Sequence, residues 1–392
     1  MKTTAIIKKW VRKGYMYLCH VTRPRGEKSV FFASFRGQYS DNPRAISECL
    51  HQMAPDVKIV WMVKPQFRKY VPDYVTVVPP AHRLALKAQA RANAWVLNYV
   101  NQKHVGDYKG RDTFYIQTWH GDRGLKAIGY LSENSKSKKF SGYDLDRCDL
   151  IVAGSDYGVK KARQGLHYEG EVIVEGMPRN DKLVNIGRYG GEAAKVRQQL
   201  GIADNLKILL YAPTYRDEER SQQCAIDIPS SIASLEADGE KWICLIRSHS
   251  LSKGFSTPNS QLSTPNSQLP TVNYKDVTSY PDMADLLLIS DLLITDYSSC
   301  AGDFILTGRP LVLAHFDRDD YYKAQKRSLW VEPEEAGYLV AKNQDELNQI
   351  LSKLRSYDHQ AIAGKLNRFY GTKETGRSSE AIARRILQQL NN

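Results

Sequence analysis

The sequence predicts an α/β protein with two Rossmann-like domains that face each other across a cleft. Three observations lead to this fold class. First, short apolar runs alternate with helical stretches along most of the chain, a pattern typical of βαβ units and parallel, doubly wound sheets. Second, this alternation lapses around residues 185–205 and then resumes. Third, 392 residues exceed the usual size of one compact domain, so two halves of similar length fit the chain.

The N-terminal segment, residues 1–26, contains seven Lys and Arg residues and no acidic residue. Ile6, Ile7, Trp10 and other apolar residues recur there at spacings close to helical. A basic amphipathic helix with aromatic residues at its apolar border suits the plane of an anionic membrane. The alternative is a solvated first helix that packs on the following domain. We interpret the segment as membrane-associating.

The first half of the chain predicts a sheet of seven strands. The apolar runs that read as strands are residues 29–35, 57–63, 75–78, 95–99, 114–118, 149–154 and 171–175. Helical stretches such as 43–53 and 81–92 lie between them. We therefore assign residues 27–195 to a first domain.

The second half repeats the pattern, and we assign residues 196–392 to a second domain. Its predicted strands are residues 207–211, 242–246, 272–274, 292–295, 311–314 and 338–340. An amphipathic helix over 378–390 ends the series. In doubly wound sheets, ligands bind beyond the carboxyl ends of the strands, so the residues that follow each strand are the candidates for a site.

Composition narrows the class of partner. The formal net charge of +12 suits anionic partners, whether nucleic acid, an acidic membrane surface or phosphorylated substrates. The six cysteines show no CxxC spacing, which argues against a structural zinc site and for a reducing compartment. No apolar run reaches the roughly 18–20 residues needed to span a bilayer. No signal peptide is recognisable.

His120 is the candidate base. It directly follows a predicted strand and precedes Gly121, so it lies at the edge of the sheet where ligands bind. Imidazole can accept a proton from an attacking hydroxyl near neutral pH. A lone histidine is more often a hydrogen-bonded structural residue, but this placement favours the catalytic interpretation.

Two further turns carry groups for anions. Arg179 and Asn180 follow the strand at 171–175, where Asn180 shapes the turn and Arg179 can reach an anion. Thr214 and Arg216 follow the first strand of the second half and are candidates for phosphate contacts. Both turns also have a structural interpretation, since Arg216 with Asp217 can form a surface pair.

The remaining turns complete a candidate diphosphate site. Arg247 and His249 at a strand end can cradle a diphosphate and its departing charge. Asp296, Ser298 and Ser299 lie between a strand and a helix, where the hydroxyls can either cap the helix or bind phosphate. The first half would then supply His120 as base, and the second half would bind the diphosphate. This arrangement suits transfer from an activated nucleotide donor.

The set of motifs resembles the CDP-glycerol glycerophosphotransferase family of teichoic-acid polymerases and primases. The resemblance covers nearly the whole chain in motif order. It rests on TWHG at 118–121 with Leu125 and Lys126, GMPRND at 176–181, APTYRD at 212–217, the Arg-x-His at 247–249, and SDLLITDYSS at 290–299 with Asp303 and Phe304. No single motif is specific, whereas their order and spacing together are.

This resemblance implies a GT-B-like fold, with the acceptor side in the first domain and the nucleotide donor bound mainly by the second. It implies that His120 activates the hydroxyl of the acceptor and that His249 and Arg247 stabilise the diphosphate. The implied substrate-binding residues are Gly121, Arg179, Asn180, Pro213, Thr214, Arg216, Arg247, Asp296, Ser298, Ser299 and Asp303. The acceptor would attack the β-phosphate of CDP-glycerol, or failing that CDP-ribitol, and release CMP. A lipid-linked glycan acceptor would place the protein peripherally at the cytoplasmic face of the cell membrane.

The sequence departs from the family at Asp122-Arg123, where Thr-Pro is usual, and at Ser248 and Ser250, where prolines are common. The first departure bears on the identity of the acceptor or polyol. We expect no obligatory metal and no cofactor, because no carboxylate cluster has metal-ligand spacing. One alternative is a GT-B glycosyltransferase or epimerase that uses a UDP-sugar. A more distant one is a basic nucleic-acid-binding protein, against which stands the absence of a recognisable nucleic-acid module.

Overall fold

A computed structural model of the chain describes residues 2–35, 37–80, 83–99, 108–132, 145–214, 225–237, 239–248, 274–323 and 328–391. Within them the backbone forms two separate sheets, one of seven strands and one of six. Every strand pairing in both sheets is parallel. The predicted class, two doubly wound α/β domains, is confirmed.

The first sheet has the order β3-β2-β1-β4-β5-β6-β7. Its strands are β1 Ser29–Ala33, β2 Lys58–Met62, β3 Thr76–Val78, β4 Ala94–Leu97, β5 Phe114–Gln117, β6 Leu150–Ala153 and β7 Glu171–Val174. Strand order reverses between β1 and β4, where Val30 pairs with Ala94. Such a reversal opens a crevice at the carboxyl ends of the two strands, where ligands bind.

The second sheet has the order β10-β9-β8-β11-β12-β13. Its strands are β8 Lys207–Ala212, β9 Trp242–Ile246, β10 Tyr274–Asp276, β11 Leu292–Thr295, β12 Leu311–Ala314 and β13 Leu339–Ala341. Its strand order reverses between β8 and β11, where Leu292 pairs with Leu209. Both sheets therefore have a ligand crevice of the same kind.

All predicted strands are present, and their bounds differ from the prediction by one or two residues at most ends. The exception is β10, because part of the predicted run 272–274 lies outside the described residues. The success has a physical cause. Helices cover both faces of these parallel sheets, so strands such as β1, β4, β6 and β11 are buried along their whole length. Continuous apolar runs are what such strands require.

Helices connect the strands and cover the sheets. The α-helices span Lys2–Val21, Asp41–Met53, Arg83–Arg91, Asp156–Lys160, Asp181–Val184, Gly190–Leu200, Ile228–Glu236, Met283–Ile289, Cys300–Phe304, Arg318–Lys323, Pro333–Ala336, Gln344–Ser352, His359–Tyr370 and Ser378–Asn391. A π-helical turn, Lys161–Gly165, extends the helix Asp156–Lys160. Such turns often occur at functional sites.

The helix Ser378–Asn391 belongs to the first domain's core, which corrects the assignment of all residues 196–392 to the second domain. Ile382, Ala383 and Ile386 are fully buried in one cluster with Val30 and other side chains of the first sheet. The helix packs against the helix Asp41–Met53. The amphipathic pattern of 378–390 predicts a helix with one apolar face, but it does not say which sheet that face covers.

The N-terminal helix Lys2–Val21 packs on the first domain through its C-terminal half only. Met16 and Cys19 are buried against Ala90, and the His20 imidazole bonds to the Ala90 carbonyl through Nδ1 at 3.0 Å. In contrast, the side chains of Ile6, Ile7, Trp10 and Val11 are 55–67% exposed. Among the described helices, none has the length and apolar composition needed to cross a bilayer.

Candidate active site

The candidate site lies where the strand reversals of the two sheets meet. From the first sheet it receives the turns after β1, β4 and β5, and from the second sheet the turns after β8 and β11. Asn42, fully buried at the start of its helix, holds two of the first-sheet turns together. Its side-chain amide donates to the carbonyls of Thr118 and Trp119, and its Oδ1 accepts from the Arg179 backbone N–H.

His120 is held in the tautomer that a general base needs. Its Nδ1 lies 2.8 Å from the backbone carbonyl of Asn98. Because a carbonyl can only accept, Nδ1 carries the proton, and Nε2 keeps its lone pair for a substrate hydroxyl. Burial lowers the pKa of His120 to about 4, so the imidazole is neutral at pH 7.

Three aromatic rings surround this imidazole. The ring centroids of Phe35, Tyr99 and Trp119 lie 5.3, 6.1 and 4.8 Å from that of His120. Phe35 and Trp119 both have left-handed backbone conformations, with φ of 37° and 51°. Such conformations cost non-glycine residues roughly 1–3 kcal/mol each and concentrate at functional sites.

A buried lysine supports the loop after His120. The Lys161 ammonium donates to the carbonyl of Gly121 at 3.1 Å and to that of Gly124. Burial lowers the pKa of Lys161 to about 7, so this amine titrates in the physiological range. A Cβ placed on Gly124 would lie 3.5 Å from Lys161 Nζ and 3.0 Å from Ser299 Cβ. Lys161 and Ser299 therefore both approach Gly124.

The turns after β8 and β11 are joined to each other. Asp296 accepts hydrogen bonds from the backbone N–H of Thr214 at 2.9 and 3.0 Å and from its hydroxyl. Pro213 and Thr214 directly follow β8, and Asp296 directly follows β11. The Asp296 carboxylate thus shapes the crevice of the second sheet.

Ser298 and Ser299 bring the second domain to the candidate base. The Ser299 hydroxyl lies 3.5 Å from the backbone carbonyl oxygen of His120, and Ser298 Oγ accepts from the Cys300 backbone N–H at 3.4 Å. Both serines are half-buried at the start of the helix Cys300–Phe304. Side-chain hydroxyls and backbone N–H groups in this position suit phosphate oxygens.

Arg247 is a half-buried cation that only carbonyls contact. Its Nη1 and Nη2 donate to the backbone carbonyls of Tyr280 and Pro281 at 2.5 and 3.4 Å. No carboxylate of the described residues lies within ion-pair distance of it, and burial lowers the pKa of its guanidinium. A desolvated guanidinium that no described carboxylate contacts directly suits an anionic ligand, and Asp282 and Asp285 act on its charge only from a greater distance.

Arg179 and Asp303, both predicted to bind substrate, form an ion pair with each other. Arg179 Nε and Nη2 reach the Asp303 carboxylate at 2.9 to 3.1 Å, and Nη2 also donates to the His120 carbonyl at 3.0 Å. Burial alone would lower the pKa of Arg179, but Asp303 and Asp41 outweigh it and raise the pKa. Asn180 donates to Asp303 at 3.0 Å and to Glu374 at 2.9 Å. These residues join the domains and position the His120 turn.

Arg123, one of the four residues that depart from the family pattern, belongs to the same network. It is fully buried and donates to the Gly302 carbonyl at 2.8 Å. Its Nη2 lies 2.7 Å from the Glu374 carboxylate. The neighbouring Asp122 accepts from the Gly154 N–H at 3.0 Å and from the Ser155 hydroxyl at 2.7 Å. Arg123 therefore links the first domain to Gly302 and Glu374, whereas Asp122 fixes the turn after β6 within the first domain.

A separate cavity of about 330 Å³ lies behind this interface. It is lined by the helix Asp41–Met53, residues 178–192 and residues 376–380, and it touches Asp41 and Arg179. Neither His120 nor Ser298 nor Ser299 lines it. The candidate base and the Ser298-Ser299 turn therefore do not belong to this cavity.

Two predicted site residues, Arg216 and His249, lie outside the described residues. Two others that surround the site were not predicted, namely Lys161 and Glu374. Lys161 lies in a helical segment with an ordinary surface pattern, so the sequence contains no signal for its burial. Across the described part of the chain, no cluster of three or more His, Cys, Asp or Glu side chains is placed to hold a metal ion.

Known proteins resemble this chain in sequence and in fold. A family model described as CDP-Glycerol:Poly(glycerophosphate) glycerophosphotransferase matches residues 15–388. The teichoic acid glycerol-phosphate transferase of Staphylococcus aureus is 29% identical over 378 residues, which are 92% of each chain. The teichoic acid poly(glycerol phosphate) polymerase of Bacillus subtilis is 28% identical over 407 residues. That match covers 99% of this chain, which spans about half, 52%, of the polymerase.

The fold is also that of a solved protein. A structure of the wall teichoic acid polymerase TagF superimposes with a TM-score of 0.79 at 25% sequence identity. The match covers 100% of this chain and 97% of that one. The predicted GT-B-like fold is thereby confirmed.

Proposed function

We propose that this chain, which belongs to the CDP-glycerol:poly(glycerophosphate) glycerophosphotransferase family, transfers glycerol phosphate from CDP-glycerol to a hydroxyl of a teichoic-acid-type acceptor. The acceptor oxygen attacks the β-phosphorus, and the bond from that phosphorus to the bridging oxygen breaks. CMP leaves with the bridging oxygen. The hydroxyl proton passes to His120.

One observation carries this proposal: the His120 turn of the first domain and the Ser299 turn of the second are in contact, at 3.5 Å from the serine hydroxyl to the histidine carbonyl. A base and a group of phosphate-binding donors are thus brought to the same point by two different sheets. Phosphoryl transfer depends mostly on such positioning and on charge stabilisation.

The hydrogen bond between His120 and Asn98 supports the proposed base role. The bond fixes the proton on Nδ1 and leaves Nε2 to accept the proton of the acceptor hydroxyl. In our proposal, Ser298, Ser299 and Arg247 bind the diphosphate, because hydroxyls, backbone N–H groups and a guanidinium that no described carboxylate contacts directly favour that charge. Lys161, which like Ser299 approaches Gly124, adds a further cation. His249 and Arg216 keep their proposed role as diphosphate ligands.

The family and both sequence relatives named above support glycerol as the polyol, since their descriptions name glycerol phosphate. One TagF structure was determined after a soak with CDPG. CDP-ribitol is the alternative donor. The acceptor in our proposal is a lipid-linked glycan, and the sequence leaves open whether the enzyme adds one unit or many.

The decisive experiment measures CMP release from CDP-glycerol and CDP-ribitol separately, with and without a lipid-linked disaccharide that carries one glycerol phosphate. We expect acceptor-dependent CMP from CDP-glycerol. CMP release from CDP-ribitol but not from CDP-glycerol would show that ribitol phosphate is the transferred group. Absence of CMP from both, with UDP released from a UDP-sugar panel, would overturn the function and retain the fold.

We further propose that the N-terminal helix docks on an anionic membrane at the cytoplasmic face. The support is an unpaired apolar surface: Ile7, Trp10 and Val11 are 57–67% exposed on a helix whose opposite side packs on the domain. Lys8, Lys9 and Lys13 flank them, and the Lys13 ammonium lies 5.2 Å from the Trp10 ring. Apolar anchoring and attraction to anionic lipid add in such helices.

Vesicle sedimentation tests this docking. The triple variant Ile7→Ser, Trp10→Ser, Val11→Ser should lose binding to vesicles rich in anionic lipid and retain turnover of a soluble acceptor analogue. Phe369→Ser is the matched control. Phe369 is also about half exposed, at 49%, but it lies in the helix His359–Tyr370 and not in the N-terminal helix. Equal vesicle binding by the triple variant and the wild type would refute the docking.

A further inference from the structure

The cavity of about 330 Å³ behind the interface lies between the cores of the two domains. One wall is formed by the helices Asp41–Met53 and Ser378–Asn391, whose apolar side chains belong to the core of the first sheet. The opposite wall includes residues 181–192, where Ile186 and Tyr189 pack against the core of the second sheet. Small-molecule sites often lie at domain interfaces and have volumes of about 300–1,000 Å³. The cavity therefore has the place and the size of a ligand site.

Every carboxylate among the residues that line this cavity has a partner within the protein. Buried and half-buried carboxylates need such partners, because an unpaired charge away from water is costly. The partners are Arg179 for Asp41, Arg44 for Glu48 and Asp282, the backbone N–H groups of Ser378 and Ser379 for Asp181, Lys182 for Glu192, and Arg384 for Glu380.

Arg188 and Arg377 are the lining cations that these pairs do not use. Both side chains are exposed, and no side chain in the described part of the protein forms an ion pair or a hydrogen bond with either guanidinium. Arg384 lowers the pKa of Glu380 through a direct hydrogen bond, and Arg377 and Arg188 lower it further from a greater distance. Both guanidinium groups therefore lie near Glu380, at one part of the cavity rim.

Asn185 holds the two turns that carry these arginines against each other. Its Nδ2 donates to the Gly376 carbonyl at 2.9 Å, and its carbonyl accepts from the Arg188 backbone N–H at 2.9 Å. Gly376 has a left-handed φ of 71°, and a Cβ at this position would lie 2.3 Å from Asn185 Nδ2. The close approach therefore requires glycine, and it sets the turn of Arg377 beside that of Arg188.

Two carboxylate oxygens of the lining can still accept hydrogen bonds. Glu48 and Glu192 accept from Arg44 and Lys182 through their Oε1 atoms. Their Oε2 atoms accept no hydrogen bond from the described residues, and the two side chains are 36% and 30% exposed. Because a carboxylate oxygen can only accept, these atoms suit the hydroxyl groups of a ligand.

We infer that this cavity is a second ligand site, which binds a small polyol phosphate with its phosphate monoester between Arg188 and Arg377. A phosphate monoester carries close to two negative charges above neutral pH, and guanidinium groups bind its oxygens in a bidentate manner. The hydroxyls of the polyol donate to Glu48 and Glu192. Because Arg188 lies on the wall of the second domain and Arg377 on that of the first, the ligand joins the two domains.

Calorimetric titration of glycerol 3-phosphate into the whole chain at pH 8 tests this site. The solution contains CDP-glycerol in excess and no acceptor, so that the donor crevice of the proposed function is filled. We expect one equivalent to bind. Arg188→Gln and Arg377→Gln should each weaken the affinity by roughly 10-fold, as the loss of one charged hydrogen bond allows. Arg68→Gln is the matched control, because Arg68 is also exposed but does not line the cavity.

A second titration, with inorganic phosphate, tests the polyol part of the inference. Inorganic phosphate should bind less tightly than glycerol 3-phosphate, because it has no polyol to reach Glu48 and Glu192, and equal affinities would overturn the assignment to a polyol phosphate. Wild-type affinity for glycerol 3-phosphate in both arginine variants, or its displacement by CDP-glycerol, would overturn the site itself. Binding that both variants weaken, in a chain that releases no CMP from CDP-glycerol, would overturn the proposed function and support this site.

Discussion

Arg179 and Asp303 join the two domains through a buried, bidentate ion pair. The guanidinium of the first domain meets the carboxylate on the helix after β11 at 2.9 to 3.1 Å, and both residues are 5% exposed. The same guanidinium holds the His120 carbonyl. The pair therefore connects the turn of the candidate base to the helix that follows the Ser298-Ser299 turn.

Asp303→Asn should destabilise the protein strongly. Removal of one partner leaves Arg179 buried without its charge partner, which costs about 3–5 kcal/mol in comparable pairs. Urea or thermal unfolding measures the loss. The exposed pair of Glu380 and Arg384 is the control, and Glu380→Gln should leave the midpoint unchanged. An Asp303→Asn variant as stable as the wild type would show that the pair does not hold the domains together.

The enzyme should keep its activity at low pH, because His120 stays unprotonated there. Its pKa of about 4 implies that the imidazole is neutral at pH 5.5. An ordinary histidine with pKa near 6.5 would be about 90% protonated there, so activity at pH 5.5 should be about ten-fold higher than such a residue allows. The kcat/KM profile between pH 4 and 7, with circular dichroism to verify folding, tests this. An acid limb centred near 6.5 would contradict it.

Lys161 should make donor binding weaken as pH rises. Its pKa of about 7 means that the free enzyme loses this cation above neutrality, so the KM for CDP-glycerol should rise by about ten-fold between pH 6 and 8.5. In Lys161→Met the KM should be high and independent of pH. Lys160→Met is the control, because Lys160 is the exposed neighbour. A wild-type KM that is constant over this range would exclude a role for the ammonium charge.

Gly124→Ala should impair catalysis more than folding. The added methyl group would lie 3.0 Å from Ser299 Cβ, so the serine must shift by a few tenths of an ångström. Displacement of a substrate-binding group should lower kcat/KM by about ten-fold. Gly187→Ala, which meets no heavy atom within 4 Å, should behave as the wild type. Equal activity of the two variants would mean that Ser299 does not bind the reacting group.

Much of the fold could be predicted because parallel sheets buried on both faces need continuous apolar strands. The strand-end rule predicts that these turns approach one another, and the structure has two such pairs in contact, Ser299 with His120 and Thr214 with Asp296. The sequence could not predict which charged side chains would pair with each other. Arg179 and Asp303 both suit a ligand by residue type, and nothing in a sequence indicates that two charges 124 positions apart neutralise each other.

The sequence also could not predict which polar side chains would be buried. Lys161 is one of many lysines in an amphipathic helix, and its burial depends on the loop that carries Gly121 and Gly124. Trp119 lies in the TWHG motif at 118–121, where the sequence indicates a role for His120 and none for the tryptophan. Its unsatisfied N–H and its left-handed backbone became visible only in three dimensions.

The return of the helix Ser378–Asn391 to the first sheet affects how the protein is synthesised. Ile382, Ala383 and Ile386 complete the first domain's core, yet the ribosome adds them after the whole second sheet. Until then the nascent first domain exposes the apolar face that this helix covers, and N-terminal domains normally fold first. The half that is translated first is therefore finished last, and during translation it is the half most prone to aggregate.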